Sequence, residues 1–192
     1  FDFYFGQEFA KDKIVAFFQP DSGYAFASVT WACFSGVVSG INEKGLTITL
    51  NAAKSDIPTK AKSPVSLIAR EVLQYASNIE EAYQIILRHE SFVAETFLIG
   101  SRLDSTVQLI EKSPDTTAIY EGTNSQIVAT NHFQSNALLN NRNNQEYLSE
   151  GVSDYRHRHV RNLINAAPNI NVKEAVNILR NKLGLNNEFI GY

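Results

Sequence analysis

Hydrophobic and polar residues alternate strictly over 46–50, where Leu46, Ile48 and Leu50 are separated by Thr47 and Thr49. Period two describes a strand with one face buried and the other not. Runs rich in β-branched and aromatic residues predict further strands over 13–18, 24–34, 95–100, 106–112, 117–122 and 126–131, with the alternating one extended to 46–52. Turn formers separate several of them: Pro20 to Gly23, Asn42 to Gly45, and Arg102 to Ser105.

A second period appears between these groups. Val65, Ile68, Val72 and Tyr75 recur at helical spacing, with Ser63 as the expected N-cap and Pro64 at the first helical position. Asn78 followed by Glu81 reads as a capping box opening a helix that aligns Ile79, Ala82 and Ile86. Two more helices are expected over 153–166 and 172–183, the last stopped by Gly184. The asparagine-rich stretch 136–147 reads as a loop, either a solvated connection or a lid. Strands joined by short turns argue for antiparallel pairing, and grouped rather than alternating elements argue for an α+β fold.

Composition narrows the function classes. The chain has 192 residues, 44% hydrophobic and 19% charged, with a net charge of −3. That suits one globular domain and gives no basic stripe for nucleic acid. No apolar run is long enough to span a membrane. The single cysteine, Cys33, cannot form an internal disulfide. The compartment stays open.

His157 and His159 form an H-x-H pair, but on a helix residues two apart diverge by about 200°, so no metal site is expected. The glycines Gly36, Gly40 and Gly45 match no phosphate-binding loop, and no cofactor is expected. Cys33 as a nucleophile with His132 as base is conceivable, yet Cys33 lies in an apolar run without basic neighbours, and a buried structural cysteine is the plainer reading. Polar residues at strand ends remain: Asp2 in FDFYF, Asn51 closing LTITLN and Asn131 closing VATN, with Arg156 at the start of a helix. Asn amides can donate to an oxyanion, Asp2 can hold an amine, and Arg156 can orient a carboxylate. This set has stabilisers and no nucleophile.

These segments resemble, in order and over nearly the whole chain, the N-terminal nucleophile amidohydrolases of the choloylglycine-hydrolase type. Relatives include penicillin V acylase, the isopenicillin N acyltransferase group and N-acylethanolamine acid amidase. FDF resembles the end of their G-R-N-x-D segment. GINEKGLTITLNAA resembles their hairpin followed by Asn, IVATNHFQS the strand with a catalytic Asn, and SDYRHR the S-x-x-R opening a later helix. The resemblance implies a four-layer αββα sandwich of two stacked antiparallel sheets. It also implies a thioester mechanism on an N-terminal cysteine upstream of Phe1, with Asp2, Asn51, Asn131 and Arg156 in the site. On that basis residues 1–192 are expected to be one such domain lacking its first strand and part of its C-terminal region. The substrate expected is a small N-acyl amide, and a homo-oligomer is expected, with the missing piece as a possible separate partner. A non-catalytic binding protein on the same fold is the alternative from another class.

Overall fold

The computed structural model describes residues 11–55, 62–122, 126–149, 152–167 and 169–181. Seven strands occur among them: β1 (Ile14–Phe18), β2 (Phe26–Thr30), β3 (Ser39–Asn42), β4 (Leu46–Ala52), β5 (Glu95–Ser101), β6 (Thr106–Lys112) and β7 (Thr117–Tyr120). They form one antiparallel sheet in chain order. Five helices accompany it: α1 (Val65–Tyr75), α2 (Ile79–Arg88), α3 (Arg142–Ser149), α4 (Val152–Ala166) and α5 (Val172–Leu179). The α+β arrangement with antiparallel pairing is the expected one. The second sheet of a four-layer sandwich is not among the described residues.

Helices α1 and α2 leave the sheet after β4 and return it to the neighbouring β5, so both pack on one face. The alternation in β4 turns Leu46 and Ile48 to that face, where they meet Ile68, Val72, Leu73, Ile86, Phe97 and Ile99, all essentially without solvent contact. Asn42 fastens the hairpin between β3 and β4 to this layer. Its Nδ2 donates to the carbonyls of Leu73 and Ala76 at 2.9 and 2.7 Å, at the end of α1. Its Oδ1 accepts from Lys44 N and Leu46 N at 3.1 and 3.0 Å. Gly45 closes the same hairpin at φ +80°, a backbone region that a side chain disfavours.

Several expectations are corrected. Ser63 does not cap α1; Pro64 occupies the cap position, and the Ser63 hydroxyl lies 3.3 Å from His89 Nδ1 instead. Asn78 does cap α2, accepting from Glu81 N, but Glu81 reaches past it to Ser77 N. The first long strand ends at Thr30, and Cys33 sits exposed in a turn at φ +65° rather than buried. β3 went unseen because S-G-I-N carries no strand pattern; pairing with β2 and β4 makes it extended. The asparagine-rich stretch is partly helical: Asn141 Oδ1 accepts from Asn143 N at 3.0 Å, capping α3 as asparagine does well. Beyond Gln126, residues 127–131 of the expected strand 126–131 join no ladder among the described residues, and α5 ends at Leu179.

The opposite face of the sheet is covered at one end by the segment 130–144. Phe133 and Leu138 pack there with Ala94, Ala53 and Ala118. Towards β1 the same face shows Val15, Phe17, Val29 and Ile41 to solvent, Phe17 at 82% exposure.

Candidate active site

The carboxyl end of β4 and the amino end of α4 meet at Asn131. The sequence reason is local: Thr130 and Asn131 leave the extended segment, while Ser153 and Arg156, three apart, share one face of α4. Ser153 takes the Asn131 backbone, with Asn131 N donating to Ser153 Oγ at 2.9 Å. Arg156 takes its side chain, with Nη2 donating to Asn131 Oδ1 at 2.6 Å. Asn131 Nδ2 donates in turn to the Ala52 carbonyl at 2.9 Å. An amide nitrogen carries two hydrogens, so among the described residues this bond leaves one donor uncommitted.

Asn51 immediately precedes Ala52 in β4. It lies on the sheet face opposite α1 and α2, in register with Thr96, whose hydroxyl donates to the Asn51 carbonyl at 3.2 Å. The structure thus brings Asn51, Asn131 and Arg156 into one neighbourhood. Asp2 lies outside the described residues.

Arg156 is buried, and Asn131 holds its only hydrogen bond among the described residues; Nε has no partner. Burial lowers its pKa, with Tyr147 acting the other way. A guanidinium nevertheless stays protonated in proteins, so this is a cation inside the protein. Its field polarises the Asn131 amide and makes Nδ2–H a better donor.

Around Ser153 lies a small polar cluster. His132 Nδ1 is 2.8 Å from Ser153 Oγ and 3.1 Å from Thr130 Oγ1, while Thr130 also donates to the Ser153 carbonyl at 3.2 Å. Burial lowers the His132 pKa to about 4, with His157 and Arg156 adding to the effect and Asp154 opposing it. His132 is therefore neutral near pH 7, and its ring meets His157 edge-on at 5.3 Å. His159 stacks on Tyr155 instead, so the H-x-H pair diverges as its helix requires. No group of three ligands for a metal occurs among the described residues.

The pairing of Cys33 with His132 gains nothing from the structure. Cys33 is exposed beyond the end of β2, His132 is buried, and no hydrogen bond joins them. Sequence reading also missed Ser153 as the residue gripping the Asn131 backbone, although the S-x-x-R spacing contained the signal. It missed Asn144 and Glu111 too. Asn144 is buried, with Oδ1 accepting from Phe133 N at 2.8 Å. Glu111 is fully buried, and its oxygens accept from Gln134 N and Ser135 N at 2.5 and 3.0 Å. Burial pushes the Glu111 carboxyl up, against the lowering by its hydrogen bonds to Ser135 and Gln134.

The antiparallel sheet is thus backed by a helix pair on one face, and on the other an asparagine is clamped against the end of β4 by two residues of α4. The model of the family described as acyl-coenzyme A:6-aminopenicillanic acid acyl-transferase matches residues 7–188. The chain belongs to that family. Among solved structures it is similar to the N-acylethanolamine-hydrolyzing acid amidase ortholog of Caenorhabditis elegans: TM-score 0.65, 18% identity, 93% of this chain and 77% of that one. It is similar to penicillin V acylase from Agrobacterium tumefaciens, with TM-score 0.53 and 18% identity over 82% of this chain and 54% of that one. A mutant of the conjugated bile acid hydrolase from Clostridium perfringens gives TM-score 0.50 and 15% identity over 76% and 50%. The chain thus spans about half the length of the last two. At these identities the likeness establishes the fold. Comparison with curated proteins finds no match. No helix among the described residues is long and apolar enough to cross a membrane.

Proposed function

We propose that this chain carries the oxyanion side of the active site of an enzyme that cleaves a linear N-acyl amide, or transfers its acyl group, through a thioester. The nucleophile in this reading is a cysteine preceding Phe1 in the encoded protein. The observation that carries the reading is the triple restraint on Asn131, which among the described residues leaves one amide hydrogen without an acceptor beside a buried cation. A preorganised neutral donor of this kind answers the charge of a tetrahedral intermediate. An acyl-transferase family and an N-acylethanolamine-hydrolysing neighbour favour the N-acyl amide as substrate.

The chemistry follows. The thiol loses its proton to the cysteine's own α-amine, whose ordinary pKa of about 7.7–8.0 suits a base near neutral pH. Sulfur adds to the amide carbon, and the carbonyl oxygen takes the negative charge, received by Asn131 Nδ2 with Asn51 sharing the role. The C–N bond breaks, the amine leaves with the proton, and a thioester remains. Water or a second amine then adds to that carbon and expels the thiolate. Asp2 holds the α-amine in place. Arg156 acts on Asn131, fixing the plane of the amide and strengthening its donor.

The test is Asn131→Asp in the full-length enzyme. Aspartate keeps the acceptor for Arg156 and removes the donor. Turnover of an N-acyl amide is expected to fall on the order of 10²–10³-fold. Mass spectrometry should detect an acyl group on the cysteine during wild-type turnover. A fall under about threefold takes Asn131 out of the site.

A further inference from the structure

We propose that Glu111 is a positioning residue for Asn131: its buried carboxylate holds the turn at Gln134 and Ser135 from beneath and so sets where the Asn131 amide points. The inference rests on the reading of Asn131 as the oxyanion donor.

In β6, period two puts the charged Glu111 on the same sheet face as Val107 and Leu109. It has no exposure there, on the face that the segment 130–144 covers. No lysine or arginine pairs with it among the described residues. A buried carboxylate without a cation is unfavourable unless hydrogen bonds satisfy it. Here two adjacent backbone N–H groups do so, at 2.5 and 3.0 Å.

The turn needs that anchor. Four backbone N–H groups between 131 and 135 are taken by side chains: Asn131 N by Ser153, Phe133 N by Asn144, and Gln134 N and Ser135 N by Glu111. This short segment therefore takes its shape from three side chains on three separate elements. Ser153 and Asn144 each receive one N–H from it, whereas Glu111 receives two. Only a carboxylate presents two acceptor oxygens on one head; glutamine would set an NH₂ against one of the N–H donors. Glu111 is also tied to the site through the sheet, facing Thr96, which in turn faces Asn51.

The experiment is a double-mutant cycle in the full-length enzyme with an N-acyl amide. Glu111→Gln should lower kcat roughly tenfold or more with KM changed less than about twofold, because a displaced catalytic group impairs turnover more than substrate binding. On the Asn131→Asp background the same substitution should cost less than about twofold, since the amide it aims is gone. Should Glu111→Gln fail to fold, Glu111→Asp keeps the charge while reaching one N–H, and the same dependence on background is expected. Equal losses on both backgrounds, or no loss in the presence of Asn131, overturn the proposal alone. A silent Asn131→Asp overturns the functional reading and the positioning role with it.

Discussion

The hydrogen bond between Arg156 and Asn131 makes a quantitative demand on stability. Truncating Asn131 to alanine removes the partner that the buried Arg156 guanidinium has among the described residues, and the donor to the Ala52 carbonyl. A hydrogen bond to a charged group contributes about 1.5–3 kcal/mol and a neutral one about 1. Asn131→Ala should therefore cost about 3 kcal/mol even before catalysis is considered. Arg156→Met also breaks the bond, but it removes the buried charge and leaves only a neutral oxygen unpaired, so a loss of about 1 kcal/mol is expected. The double variant no longer has a buried cation to leave stranded. The cycle should then show a coupling of about 1.5–3 kcal/mol. Urea unfolding measures it: with m about 2 kcal/mol per M, Asn131→Ala should lower the midpoint by about 1.5 M. A coupling under about 0.5 kcal/mol would mean that solvent reaches the pair and that the argument for a polarised Asn131 amide is wrong. The alanine variant confounds stability with catalysis, which is why aspartate is the better probe of turnover.

Two further outcomes are expected. His132 titrates at 6.5 when unfolded and at about 4 when folded, because burial disfavours its cation. Its contribution to stability is complete above pH 6.5 and is lost as pH falls towards 4; at about 1.36 kcal/mol per pH unit this is at most about 3–4 kcal/mol. Nuclear magnetic resonance should place the native His132 midpoint near 4, and a midpoint above 6 would contradict the buried neutral ring. Asn42→Ala strands the Leu73 and Ala76 carbonyls and the Lys44 and Leu46 amides, so a loss of about 3–4 kcal/mol is expected. At about 2–4 °C per kcal/mol, the thermal midpoint should fall by roughly 10 °C, and a fall under about 2 °C would show that the hairpin is held some other way.

The sequence alone determined whatever depends on neighbours a few residues apart. Period two in Leu46, Ile48 and Leu50 named a half-buried strand, and Asn78 followed by Glu81 named a helix start, because alternation and capping are local. The α+β class, the helix pair after β4 and the pairing of Ser153 with Arg156 on one helical face were legible for the same reason. Asn131 and Asn51 stood out as polar groups closing strands. What tertiary structure decided was which distant groups meet. β3 is extended only because two strands flank it, and Ser63 turns to His89 because the end of α2 lies beside it. Glu111 is an unexplained charge in phase with Leu109 along β6 until the segment after Asn131 folds over it. A carboxylate's partners there are backbone amides more than twenty positions away, and backbone amides carry no mark in a sequence.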